Sequence, residues 1–368
     1  MKVLCNREKL REGLAVANNV IPTKSTKPVL SNVCLVATED SLELVGTDLD
    51  VAVRYRIDDV KVAEPGTAVV PARVSLDFVR DLSGDTLTID TSTSKGNCVI
   101  TSGADSCELV TVDPDEFPVV SHFDEQGALS LQAGTFTTLV NRTAFAAARE
   151  QGRYAMHGVL TEVEDGTLRM VATDGRRLAV AHAAIEAPAV LPGPAIVPTK
   201  GMQLFCRVIS DPLDQIKVHF GENQIGIKTR NAEVFARLLD GEFPNYDAVI
   251  PKESSNHIEA DAELLGRKIR LVANVTGDEA RAVRFSVKKD HMEIFGQSAG
   301  RGEATAHMEV EYPGSEAEIA FNPDYVNEGL KNCESDQVHL EFNEKTSPGK
   351  FTLGENYIYV VMPITIDA

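Results

Sequence analysis

The chain matches itself at a nearly constant offset, and this internal repeat limits the architectures open to it. Gly46-Thr47-Asp48 recurs as Ala172-Thr173-Asp174, a shift of 126. Val70-Pro71-Ala72-Arg73 recurs as Val197-Pro198-Thr199-Lys200, a shift of 127, and Glu116-Phe117-Pro118 as Glu242-Phe243-Pro244, a shift of 126. Three matches in one order at one spacing mark a repeated structural unit. A further shift of 124 sets Gly296-Gln297-Ser298 on the Thr-Asp position and Phe321-Asn322-Pro323 on the Val-Pro position. There the apolar pattern persists although the identities do not. Three copies fill the 368 residues, with joints in polar stretches near 121–126 and 252–257. The expected domains are therefore 1–125, 126–252 and 253–368.

Within a copy, helical and strand-like periods alternate. Leu10, Leu14, Val16 and Val20 predict a helix over 7–20, matched by 135–149 and 262–275 in the other copies. Strand patterns follow at 30–36 and 42–45. A second helix is expected from Pro71 to Leu82, because Pro suits a first helical turn where its missing N–H is no loss. Strands return at 86–90 and 98–101. Each copy then holds two helices and about eight strands, an α+β unit with mostly hairpin connections. With aromatics at 6% and no Trp, the interior is expected to be Val, Leu, Ile and Ala.

The net charge of −19 argues against a nucleic-acid or anionic-membrane partner if it is taken as a single number. Its distribution argues otherwise. The six expected helices carry thirteen basic and seven acidic residues, a net of +6, which leaves −25 for the rest of the chain. Arg149, Lys331 and Lys200 are among those basic residues. Acidic sheets with mildly basic helices suit weak, sequence-independent contact with phosphates.

Catalytic patterns are absent or misplaced. Ser92-Thr93-Ser94-Lys95 has the S-x-x-K spacing but lies in a polar turn before Gly96, away from a helix start. The Thr173-Asp174 pair recurs in the first copy and reads as a turn in which Asp bonds its own backbone. No glycine-rich phosphate loop joins a strand to a helix, and the eight His residues are dispersed along the chain without metal-ligand spacing. The six cysteines form no C-x-x-C pair. The opening residues lack the apolar core of a signal peptide, so reduced thiols and a cytoplasmic protein are expected. The apolar stretch 178–197 contains His182, Glu186, Pro188, Pro192 and Pro194 and cannot span a membrane.

The repeats, together with Thr173-Asp174-Gly175-Arg176-Arg177, Glu242-Phe243-Pro244-Asn245-Tyr246, Phe321-Asn322-Pro323-Asp324-Tyr325 and the ending Tyr359-Val360-Val361-Met362-Pro363, carry a resemblance. Over its whole length the chain resembles the bacterial DNA polymerase III beta subunit, the sliding clamp family. The resemblance implies three DNA-clamp domains, each with two helices on an inner face and antiparallel sheets outside, closed into a ring as a head-to-tail homodimer. It implies a non-catalytic processivity factor that encircles double-stranded DNA and tethers the replicative polymerase. Other expected partners are a clamp loader and proteins carrying short clamp-binding peptides; no cofactor and no membrane are implied.

Matching segments place a peptide-binding pocket at Met156, Thr173, Gly175, Arg177, Leu178, Pro244, Val249, Asn322, Tyr325, Val360, Val361, Met362, Pro363 and Ile364. They place DNA contacts at Lys24, Lys27, Arg73, Gln151, Arg153, Tyr154 and Lys200. Two positions depart from the family pattern: Ala248, where Arg is frequent, and Ala155, where an aromatic is. The stretch 102–107 also lacks the basic residues associated with the dimer edge. A competing reading from another class is a three-domain peptide-binding scaffold that never encircles DNA.

Overall fold

Each copy of the repeat runs through a similar series of elements, the first with one strand more among the described residues, in the computed structural model, which describes residues 1–22, 25–92, 96–150, 152, 155–185, 193–277 and 281–365. The first copy is β1 (Lys2–Asn6), α1 (Arg7–Asn18), β2 (Asn32–Ala37), β3 (Leu42–Thr47), β4 (Val51–Ile57), β5 (Lys61–Glu64), β6 (Gly66–Pro71), α2 (Ala72–Asp81), β7 (Thr86–Asp90), β8 (Asn97–Ser102) and β9 (Asp105–Val110). The second is β10 (Leu129–Gln132), α3 (Ala133–Thr143), β11 (Gly158–Glu164), β12 (Thr167–Thr173), β13 (Arg177–Ala184), β14 (Ala195–Pro198), α4 (Thr199–Arg207), β15 (Gln215–Phe220), β16 (Gln224–Lys228) and β17 (Ala232–Arg237). The third is β18 (Asn256–Asp261), α5 (Ala262–Ala273), β19 (Val283–Lys288), β20 (His291–Ser298), β21 (Gly302–Glu309), β22 (Ala317–Phe321), α6 (Pro323–Leu330), β23 (Gln337–Phe342), β24 (Gly349–Thr352) and β25 (Tyr357–Val361).

Each α-helix follows a strand at once or, for α6, after the single residue Asn322, and polar caps fix several of these transitions. The side chains of Asn6, Asp261 and Asn322 accept the N–H groups of Lys9, Leu264 and Asp324 at 3.1, 2.7 and 2.9 Å, satisfying donors that the first turn leaves free. Pro71 differs from its expected place. It is the last residue of β6 and caps α2 from outside, whereas Pro323 does occupy the first turn of α6. Helix α3 is also shorter than expected: it stops at Thr143, and Ala144–Ala146 form a 3-10 turn. Thr143 turns its hydroxyl back onto the Leu139 carbonyl at 2.7 Å.

The chain divides into two compact units. One holds residues 1–136 and 200–238, the other 137–185, 193–199 and 239–368. The first unit contains a five-stranded sheet, β5-β1-β7-β8-β9, and an eight-stranded sheet, β10-β15-β16-β17-β4-β3-β2-β6. The second contains an eight-stranded sheet, β14-β11-β12-β13-β25-β24-β23-β18, and a four-stranded sheet, β21-β20-β19-β22. Named pairings are antiparallel, and each eight-stranded sheet joins two copies of the repeat. In the first unit Val234 of β17 pairs with Val53 of β4. In the second, Leu178 of β13 pairs with Val360 of β25.

The weak third copy becomes legible in space. A Cβ on Gly46 would meet the Ala17 carbonyl of α1 at 3.1 Å, and one on Gly296 would meet Val272 of α5 at 2.8 Å. The same close helix–strand crossing thus demands a small residue in both copies, and the second has Ala172 there. The interior departs from expectation in one respect: although aromatics are few, the largest fully buried side chains are Tyr312, Tyr357, Tyr359, Phe136, Phe205, Phe285, Phe321, Phe342 and Phe351. All six cysteines are free. Burial pushes the Cys5 thiol up to about 12 and those of Cys34 and Cys98 to about 11, so these three are poor nucleophiles.

Candidate functional site

The Thr-Asp motif builds a hairpin turn twice. Between β12 and β13, Thr173 donates its hydroxyl to the Arg177 carbonyl at 2.6 Å and accepts the Gly175 N–H at 3.1 Å. Asp174 accepts the N–H groups of Arg176 and Arg177 at 2.9 and 3.1 Å. Thr47 and Asp48 repeat these bonds between β3 and β4, onto Val51 and Leu49 and onto Asp50 and Val51. In both copies these side chains hold their own backbone, so the motif builds the turn, as its recurrence suggested. Ser92 is likewise engaged, donating its hydroxyl to Asp90 at 2.7 Å; Lys95 lies outside the described residues.

The turn delivers Arg177 into the second unit with almost its whole side chain buried. Its guanidinium donates to Asp174 at 3.1 Å, to the Phe145 carbonyl at 2.8 Å and to Glu328. It also lies 4.6 Å from the Tyr325 ring centroid and 5.4 Å from that of Phe145. Burial works against its charge, but Tyr359, Glu328 and Asp174 outweigh that effect and hold its pKa above the ordinary arginine value. The result is a clasp: one cation ties the β12–β13 turn to the segment after α3 and to α6.

Beside this clasp opens a cavity of about 320 Å³ with mainly apolar walls. Met156, Thr173, Gly175, Arg177, Leu178, Pro244, Val249, Val360 and Met362 line it, all named from sequence. Its floor is continuous with a buried cluster that includes Leu178, Tyr246 and Val360 together with Ala155, Leu160, Val171 and Ile196. Val249 and Met362 of its lining are 44% and 38% exposed, so apolar side chains of the cavity reach solvent. An apolar concavity with few polar groups is what anchors of a short peptide occupy.

Other residues named from sequence stand around the cavity without lining it. Asn322 caps α6, and Tyr325 packs under Arg177 while its carbonyl accepts the Tyr359 hydroxyl at 2.9 Å. Val361 is fully buried opposite Arg177 in β25. Beyond it, Met362 donates its N–H to Arg176 and Ile364 to Ala320, both at 2.8 Å, carrying Pro363 between them. Two lining residues, Asn245 and Tyr246, were not named. The sequence carries their signal, since both belong to the 242–246 segment that also holds Pro244. The Tyr246 hydroxyl donates to Glu162 at 3.0 Å, and burial pushes its phenol above the ordinary range. Ala155 is buried in the floor, and Ala248 is exposed in a 3-10 turn beside Val249.

Among the residues named for DNA, Lys24, Gln151, Arg153 and Tyr154 fall outside the described residues. Lys27 is exposed just ahead of a 3-10 turn. Arg73 projects from α2, 70% exposed, and donates to Asp77 at 3.0 Å. Lys200 of α4 is paired with Asp48. The helical charge is smaller than the sequence count. Arg149 and Lys331 lie outside the helices, leaving eleven basic and seven acidic residues, a net of +4. No helix among the described residues is long and apolar enough to cross a membrane.

Three family profiles match in chain order: the DNA polymerase III beta subunit N-terminal domain over residues 1–121, its central domain over 130–245 and its C-terminal domain over 247–365. The beta sliding clamp of Pseudomonas putida is 31% identical over 368 residues, covering 100% of both chains. That of Escherichia coli is 30% identical over 370 residues, again covering 100% of both. The solved structure of DNA polymerase III subunit beta from Pseudomonas aeruginosa superposes with a TM-score of 0.93 at 30% identity, covering 100% of each chain. The DNA polymerase sliding clamp of Bacillus subtilis gives 0.96 at 24% identity over the same coverage, a likeness of fold.

Proposed function

This chain belongs to the DNA polymerase III beta subunit family, and from that membership we propose how it acts. It is a sliding clamp for DNA replication, a processivity factor and not an enzyme, with three clamp domains assigned to 1–125, 126–252 and 253–368. Two copies close head to tail into a ring through which duplex DNA passes regardless of sequence. The replicative polymerase, the clamp loader and other proteins with short clamp-binding peptides dock at the cavity beside Arg177. Retention is topological, so no cofactor is needed to hold DNA, and the protein works in the cytoplasm.

The observation that carries this reading is full-length correspondence: all three repeats match in order, with 100% of both chains covered. The apolar cavity supports the docking role, since the lining named from motif positions largely coincides with it. For DNA, Lys27, Arg73 and Lys200 with Lys24, Gln151, Arg153 and Tyr154 supply the contacts. Arg73 and Lys200 each already hold an acidic partner, which suits weak contact under a ring that must slide. The correspondence does not favour a scaffold that never encircles DNA.

Size-exclusion chromatography with light and X-ray scattering tests the ring. Twice 39.9 kDa with the distance distribution of a hollow particle is expected. A monomer at every accessible concentration would remove the closed ring.

A further inference from the structure

Along the chain the histidines look dispersed, but the β20–β21 hairpin brings two of them together in a symmetric setting. The tripeptide His291-Met292-Glu293 opens β20, and His307-Met308-Glu309 closes β21. In the antiparallel register His291 faces Glu309, Met292 faces Met308 and Glu293 faces His307. The two methionines are buried. Strand alternation therefore puts all four polar residues on the opposite face of the sheet, which is accessible to solvent.

His291 Nε2 lies 3.2 Å from His307 Nδ1, with ring centroids 5.2 Å apart. His307 Nδ1 is 4.0 Å from a Glu293 carboxylate oxygen. Two imidazole nitrogens bound to one tetrahedral zinc ion at about 2.05 Å stand roughly 3.3 Å apart, close to the separation seen here. The neighbouring Lys288, opposite His291 on β19, is drawn off by Glu316 at 3.4 Å. As they stand, the described residues bring no three donors into one coordination sphere. The histidines supply two, and the accessible carboxylates nearest them in the register are Glu293, 4.0 Å from His307 Nδ1, and Glu309, opposite His291.

We propose that His291, His307, Glu293 and Glu309 form a surface site for a divalent transition metal of the zinc class. Imidazole with carboxylate is the donor set such ions take, and cross-strand chelation would pin β21, an edge strand of its sheet, to β20. The site is independent of the clamp reading and lies outside the cavity beside Arg177.

Calorimetric titration of ZnCl2 into the untagged full-length protein near neutral pH tests it. One ion per chain is expected, with micromolar affinity. His291→Gln with His307→Gln should abolish that binding, and Glu293→Gln with Glu309→Gln should weaken it on the order of tenfold or more. All four positions are accessible, so both variants should keep the wild-type melting temperature without metal. Co2+ in place of zinc should give ligand-field bands without thiolate charge transfer, separating this site from the partly buried thiols of Cys107, Cys206 and Cys333. No saturable binding by the wild type, or unchanged affinity in either double variant, overturns the proposal.

Discussion

At the scale of single residues, the repeated Thr-Asp turn offers an internal control. Gly175 and Leu49 hold the same place in two copies of the motif, with φ of 83° and 81°. An L-residue resists that left-handed region by roughly 1–2 kcal/mol, whereas glycine adopts it freely. A Cβ at Gly175 would meet nothing within 4 Å, so Gly175→Ala isolates the backbone effect and should cost about 1 kcal/mol. Leu49→Gly should stabilise instead, by less, because glycine gains freedom in the unfolded chain. Opposite shifts of the denaturation midpoint would check both; shifts of the same sign would show that the turns are not equivalent. Residue-level geometry also refines the docking test. Tyr325 belongs to the Arg177 clasp, so truncating it would disturb packing as well as the pocket. Val249→Ala with Met362→Ala removes only partly exposed lining. It should weaken a Leu/Phe-containing clamp-binding peptide by about tenfold, the equivalent of roughly 1.4 kcal/mol, with the mass of the assembly unchanged. Unaltered affinity by fluorescence anisotropy would count against the pocket.

At the scale of elements, strand pairing creates a pH dependence that no motif announces. Lys2 of β1 lies opposite Asp90 of β7 and reaches its carboxylate at 2.9 Å. Hydrogen bonds from the Ser92 hydroxyl and then from Lys2 hold the Asp90 carboxyl down at about 2 against an ordinary 3.8. A carboxyl depressed in the folded state adds stability above its unfolded pKa and loses it as pH falls through the folded one. The Asp90 contribution should be complete above pH ~4 and fade toward pH ~2. Asp90→Asn should flatten the wild-type loss of stability across that window, measured by urea denaturation; parallel pH profiles would reject the assignment. Elements were legible where an apolar period runs through them, as with the helices expected over 7–20 and 262–275, which are α1 and α5. They were misread where tertiary packing mimics a period. The apolar run through Phe145 and Ala146 extended α3 on paper, yet Phe145 is apolar because it packs near Arg177 and 5.7 Å from Tyr359. Ending the helix early removed Arg149 from the helical charge. The paired histidines of β20 and β21 were invisible for the complementary reason: their spacing has meaning only after the hairpin sets the register.

At the scale of the whole molecule, nine lining residues of the cavity were legible because segments that carry the family resemblance converge on it, and Asn245 and Tyr246 belong to one of those segments. The small helical charge then separates two ways of staying on DNA. A protein held by ion contacts alone loses affinity steeply between about 50 and 200 mM salt, as each neutralised phosphate steepens the salt dependence. Only a few exposed basic residues are offered for contact, and Arg73 and Lys200 are already paired. Contact alone would give brief residence. In the proposed ring, escape from a closed circle requires the dimer to open, while escape from a linear duplex requires only sliding to an end. Loaded onto nicked circular DNA, the clamp should remain bound across that salt range and leave after a single double-strand cut. Arg73→Glu with Arg153→Glu should reduce the amount retained without abolishing the difference between circle and line, because topology is intact when contacts are weakened. Gel filtration of labelled protein with the DNA before and after cutting measures both effects. Equal loss from circular and cut DNA, rising with salt, would mean that contacts rather than enclosure hold the protein.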